Sequence, residues 1–276
     1  MIREEKKRVV GFKLEGVAYN TSNLLLRLLR YEPGNKKINI ICRGIHIKVS
    51  GIDNMIIKCD DADILEVEDY QLPYGDIMEM YLPFNVKSID SISKELASRI
   101  DKDEMFNKYN SIVLIGVGEG GLYLINAAKF LHKRTVRIAT IATPFKGTMM
   151  ADERFVRHKT KNPIDKMIYK MIYEEIKKKY HFPNRIVSGV KLVSDIQYSY
   201  LAKHRWINFV ASHGTAKTVK EALRYRLAKK VLNSSDNDGL VSVVSQDCDR
   251  KELDKKYDIR ASHDESLFEA LEYFKG

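Results

Sequence analysis

Three short stretches of this sequence carry residues whose types and spacing could do chemistry. The first, Gly116-Val117-Gly118-Glu119-Gly120-Gly121, follows the apolar run Ile112–Ile115 and precedes the apolar-rich Leu122–Leu131, so it reads as a strand, a tight turn and a helix. Two chemistries use that geometry. One is a nucleophile elbow of the form G-x-S-x-G, which lifts a reactive side chain above a sheet. The other is a G-x-G-x-x-G turn, whose backbone cradles a pyrophosphate. On the elbow pattern, Gly118 stands where the serine should be. The backbone tolerates that change, because the elbow residue is strained and glycine accepts the strain most easily. On the dinucleotide pattern, Gly116, Gly118 and Gly121 match by spacing. The acidic residue expected about 20 positions on, to bind a ribose hydroxyl, is missing. The next strand, Val136–Ala142, runs into Thr143-Pro144 instead.

The other two stretches are Asn237-Asp238-Gly239, a strong turn signal in its own right, and Ser262-His263-Asp264. The latter follows the strand candidate Lys256–Arg260, just as Ser212-His213-Gly214 follows Trp206–Ala211. In open α/β sheets, ligands gather beyond the carboxyl ends of the strands. His263 is thus one candidate base, with His213 and His46 as alternatives. Glu119 is a conceivable carboxylate nucleophile, but moving the elbow by one residue puts Val117 where a small side chain is required.

Positioning these groups requires a sheet, and the order of elements supplies one. Lys37–Gly44 and Ile77–Pro83 read as strands, and Ser88–Ile100 spaces Ile89, Ile92, Leu96 and Ile100 as a helix does. With the glycine turn and the strand at Val136–Ala142 they form a βαβ series, which predicts a mostly parallel sheet flanked by helices, in one domain over 1–276. Arg8–Leu14 is expected to be an edge strand. Thr21–Tyr31 is expected to be a short helix stopped by Pro33-Gly34.

Residues 150–205 break the alternation and are rich in lysine, arginine, tyrosine and methionine, so they read as an inserted helical lid. Asn162 followed by Pro163 marks a helix start. Ile164, Met167, Ile168, Met171, Ile172 and Ile176 make an apolar stripe, while Lys166, Lys170 and Lys177–Lys179 make a basic face. That basic helix, 163–180, could cover a pocket, pack on its own domain, or lie on a membrane surface.

Composition narrows the class. Lysine and arginine number 47 against 37 aspartates and glutamates, a net charge of +10. No nucleic-acid motif accompanies the charge, so there is no strong case for nucleic acid. No apolar run approaches the roughly 20 residues of a membrane span, and the N-terminus lacks the apolar core of a secretory signal, so a cytoplasmic protein is expected. Cys42, Cys59 and Cys248 are far apart and odd in number, which argues against a disulfide framework or structural zinc site. Neither a cofactor nor a metal is expected.

Several separated segments together resemble the α/β-hydrolase family, in its lipase and esterase branch. Ile112–Gly121 resembles its strand and elbow, Ala139–Thr148 its Thr-Pro-His-x-Gly-Ser loop, and Asp236–Ser242 its Asp-Gly-x-Val segment. Tyr81-Leu82-Pro83 and the helix after it resemble the stretch before the elbow, so the likeness runs from about residue 37 to the end. A dinucleotide-binding protein has no reason to show that joint order. The resemblance implies a catalytic site with Gly118 at the nucleophile position, Asp238 as the acid and His263 as the base. It also implies oxyanion donors at Gly44 and at the backbone amide of Glu119, with Arg43 replacing the family's histidine. In such a triad, histidine removes the serine proton and aspartate fixes the imidazole tautomer, and glycine offers no atom to activate. The family reading therefore implies a non-catalytic or atypical hydrolase that retains a cleft for an acyl or ester ligand, or a surface for a protein partner. An active hydrolase using another nucleophile or an activated water is the alternative, with a dinucleotide-binding protein behind it.

Overall fold

The computed structural model describes residues 10–11, 24–50, 56–58, 70–72, 74–83, 88–173, 176, 198–213, 216–248 and 252–275. Seven strands form the central sheet, in the order β2 (Leu25–Arg30), β5 (Asp76–Pro83), β3 (Lys37–Ser50), β6 (Ser111–Val117), β7 (Arg137–Ile141), β8 (Arg205–Ser212) and β9 (Lys255–Arg260). All neighbours are parallel except β2, which runs antiparallel to β5. The far end of β3 leaves the sheet and pairs with β4 (Ile56–Lys58), which pairs in turn with β1 (Val10–Gly11). Parallel strands need crossovers and are covered on both faces, which is why β6 is buried along nearly its whole length.

Two apolar layers sandwich the sheet. On one face, α1 (Ile89–Lys102) and α2 (Glu119–Ala127) bury Ile92, Leu96, Ile100, Leu122 and Ile125 against Ile38, Ile40, Leu114 and Ile138. On the other, α7 (Ser266–Glu272) brings Leu267, Ala270 and Leu271 onto Ile115, Ile141, Phe209 and Ile259. A third cluster joins the segment after β7 to α5 (Val219–Leu232). Met150, Val156, Ile168, Ile172, Tyr173 and Ile176 pack there on Leu227, Ala228 and Val231.

One expected element is overturned. The stretch Thr21–Tyr31 does not form a helix where it is described, because Leu25–Arg30 is strand β2. Leucine is a good helix former, but antiparallel pairing with β5 decides the outcome. Of the predicted strand Arg8–Leu14, Val10 and Gly11 are in a strand and the rest lies outside the described residues. The predicted helix at 122–131 begins earlier, at Glu119, directly after the glycine turn.

Within 150–205 the described elements are α3 (Glu153–Lys159), α4 (Pro163–Ile168) and a π-helical turn, Tyr169–Tyr173. Asn162 caps α4 by accepting from the Asp165 amide at 2.8 Å, with Pro163 as the first helical residue. The predicted apolar stripe divides. Ile168, Ile172 and Ile176 are buried, while Ile164, Met167 and Met171 face outward. Lys177–Lys179 lie outside the described residues. Among the described residues, no helix is long and apolar enough to cross a membrane.

Candidate active site

Gly118 connects β6 to α2 with φ 53° and ψ −127°, a conformation that an L side chain rarely adopts. The glycines around it are fixed by close approach. A Cβ on Gly120 would run into the Cys42 carbonyl oxygen, one on Gly121 into Thr143 Oγ1, and one on Gly116 into Gly121. Protein atoms thus fill the space beside these three glycines.

The atom facing the turn is imidazole nitrogen. His263 Nε2 lies 2.8 Å from the position that a Cβ would take on Gly118. The other ring nitrogen, Nδ1, lies 2.7 Å from Asp238 Oδ2. Both residues are buried, Asp238 completely and His263 to 9% exposure. Asp238 accepts at Oδ1 from the amides of Leu240 (2.9 Å) and Val241 (2.7 Å), and at Oδ2 from Gln246 Nε2 (3.2 Å). Asp238 is already the acceptor for those three donors, so Nδ1 takes the donor role toward Oδ2 and the Nε2 lone pair turns toward Gly118.

The two turns that carry this pair are tied together. The His263 amide donates to the Asp238 carbonyl at 2.9 Å. Arg224 of α5 bonds Asp264 at 2.8 Å, and its Nε lies 3.2 Å from where a Cβ on Gly239 would sit. Lys217 bonds Glu265 at 2.7 Å and holds that carboxyl below its ordinary range. From below, a buried hydrogen-bond chain reaches Asp238. Trp206 Nε1 donates to Thr140, Thr140 to the Asn208 side chain, and Asn208 to the carbonyl of Gln246, whose amide side chain meets Asp238.

Gln246, at the end of the short helix α6 (Val243–Gln246), is the residue that sequence reasoning missed. A lone glutamine carries no spacing signal, and its role appears only when β8 and the Asp238 turn are adjacent. Gly44 lies at the α2 N-terminus, with φ 72°, and a Cβ there would lie 3.3 Å from the Gly120 amide nitrogen and 3.7 Å from that of Glu119. Arg43 turns the other way, onto Glu79. Its Nε and a second guanidinium nitrogen lie 2.8 and 2.7 Å from Glu79 Oε1, where Tyr70 also donates, and Tyr81 donates to the other oxygen.

The other candidates stand elsewhere. The Glu119 carboxylate accepts from Tyr123 on its own helix at 2.7 Å, away from the position over the turn. His213 is exposed, with its ring 4.3 Å from that of Tyr225, and the His46 side chain lies outside the described residues. Cys42 is fully buried beneath the start of α2, and burial pushes its thiol up to about 12, so it stays protonated at neutral pH. A cavity of about 370 Å³ opens on the outer side of the His263 turn, lined by Ile172, Ile176, Lys217, Arg224, Ser262 and Asp264. Neither Gly118 nor His263 lines it.

A mostly parallel seven-stranded sheet with helices on both faces and a sharp strand-to-helix turn at its centre defines the α/β-hydrolase fold, and this chain has it. The mature form of the lipase BlEst2 from Bacillus licheniformis superposes with a TM-score of 0.53 at 12% identity, over 91% of this chain and 94% of that one. A lipase-esterase related protein from Clostridium acetobutylicum superposes with a TM-score of 0.49 at 11% identity, over 92% and 99%. Likeness at these identities is one of fold. No family model and no curated protein matches the sequence.

Proposed function

We propose that this chain is an α/β-hydrolase-fold protein whose elbow has lost its serine and which does not hydrolyse esters by an acyl-enzyme route. Gly118 occupies the nucleophile position, Asp238 and His263 are the acid and base that remain, and the Glu119 amide beside Gly44 is the oxyanion donor. The observation that carries the reading is the 2.8 Å between His263 Nε2 and the Cβ position of Gly118. Ordinary van der Waals contact for such a pair is 3.4 Å or more, so the ring sits inside the volume a serine side chain would need. The imidazole has closed over a turn without a side chain. With Gly118 and His263 both buried, the pair serves to hold its two loops together. What the protein retains is a cleft for an acyl or ester ligand, or a surface for a protein partner.

A second reading is favoured by one feature. An imidazole held by aspartate through Nδ1 can act through Nε2 as general base on water, and a triad stripped of its nucleophile keeps a residual acceleration. Water would then attack the ester carbonyl directly, with His263 taking its proton and returning it to the leaving alcohol.

A fluorophosphonate probe and a panel of p-nitrophenyl esters separate these readings. The expected result is no labelling and hydrolysis no faster than background. Turnover by the wild-type chain that disappears in His263→Ala would establish the water mechanism instead. Covalent labelling of any serine would overturn both.

A further inference from the structure

The segment from α3 through the π-helical turn presents an outer face with large apolar side chains exposed. Ile164, Met167 and Met171 are 55%, 55% and 56% exposed, and their spacing of three and four puts them on one stripe. Lys166 and Lys170 are exposed beside the stripe, one turn apart, and Arg154, Arg157, His158, Lys159 and Lys161 are exposed just before it. Both acids in this segment are paired with cations. Asp165 is buried and ion-paired with Lys230, and Glu153 bonds Arg157.

A contiguous stripe of large apolar side chains on a surface marks an interaction site. Its flanking charge selects the partner, since nucleic acid would engage the lysines and leave the methionines without a role. A bilayer with anionic headgroups uses both, taking apolar side chains at the acyl boundary and lysines at the phosphates. We infer that this face docks on anionic phospholipid membranes, with α4 lying in the plane of the interface. The inference does not depend on the state of the Gly118 site, because a chain without esterase activity can still dock.

The test is co-sedimentation of the full chain with vesicles of phosphatidylcholine alone, or with about one third phosphatidylglycerol. Binding to the anionic vesicles is expected to exceed neutral binding at least tenfold and to weaken with added salt. Lys166→Glu with Lys170→Glu should reduce it about tenfold or more. Met167→Ser with Met171→Ser should remove the part that resists salt. All four positions are exposed, so thermal melts should match the wild type. Met167→Trp gives an independent readout, since the emission of the introduced indole should shift blue on anionic vesicles and be quenched by brominated lipid. Absent binding, equal binding to both vesicles, binding that survives both double variants, or unchanged emission from the Met167→Trp variant would each overturn the proposal, including in favour of an acidic protein partner.

Discussion

His263 Nε2 lies closer to Gly118 than a side chain at that position would permit, 2.8 Å from the Cβ site. The relationship is reciprocal: glycine allows the ring to descend, and the descended ring excludes anything larger. A substitution at Gly118 therefore meets two penalties, the positive φ of 53° and the imidazole.

Gly118→Ala and Gly118→Ser should each destabilise the fold by about 1–3 kcal/mol, measured by urea denaturation. Adding His263→Ala to Gly118→Ala should recover the steric share, with a coupling of about 0.5–3 kcal/mol in a double-mutant cycle. Gly118→Ser alone should regain no esterase activity, because the ring crowds the Cβ position that a serine needs. Zero coupling would show that the ring does not rest over the turn in solution.

Asp238 accepts from two backbone amides and the Gln246 side chain while facing His263 at 2.7 Å. Removing a buried carboxylate that organises this many donors is severe, and Asp238→Ala should destabilise by about 3–5 kcal/mol. Asp238→Asn keeps the volume but can present an N–H to Nδ1, which drives the ring to its other tautomer. Nitrogen NMR of His263 should report that exchange, and an unchanged tautomer would show that Asp238 does not set it.

The sequence makes the sheet legible where its strands are apolar runs, as in β6 and β5, although β3, expected to end at Gly44, runs on through it to Ser50. It makes the elbow legible through the glycines at 116, 120 and 121, where a Cβ would meet neighbouring atoms. What it hides is what pairing decides. Leu25–Arg30 has the composition of a helix and becomes an edge strand because β5 offers it a partner. The stripe at 164–176 has one period but two surroundings, so no periodicity could say that Ile168 turns inward and Met167 outward. At the site, Asp238 and His263 are visible as turn residues. Gln246 joins Asp238 to Ala211 of β8 and Arg224 reaches Asp264, and nothing in the sequence beside either residue marks it.

Gly120 and Gly121 give a contrast. A Cβ on Gly120 meets backbone, the Cys42 carbonyl, whereas one on Gly121 meets the Thr143 side chain. Gly120→Ala should thus destabilise strongly, beyond the roughly 1–3 kcal/mol of ordinary overpacking, with no side-chain change able to relieve it. Gly121→Ala should be partly rescued by Thr143→Ala. Thermal melts of the three variants and the double variant decide this. Absence of rescue would mean that Thr143 is not what confines Gly121.

Asp76 governs the acid end of the stability curve. It is fully buried, and burial opposes its ionisation, but hydrogen bonds outweigh that effect. Tyr109 donates at 2.5 Å, Asn35 at 2.8 Å, the Glu32 amide at 3.0 Å and Lys108 at 3.0 Å, holding the carboxyl below its ordinary range. A folded-state value below the unfolded one contributes stability that is complete above the unfolded value, about 3.9, and disappears as pH falls through the folded one. Asp76→Asn should therefore unfold at lower urea than the wild type at pH 7, by about 1.5–3 kcal/mol. The gap should narrow below about pH 4, where the wild-type carboxyl also becomes neutral. A gap that stays constant from pH 7 to the acid limit would show that Asp76 is not held as a carboxylate in the folded chain.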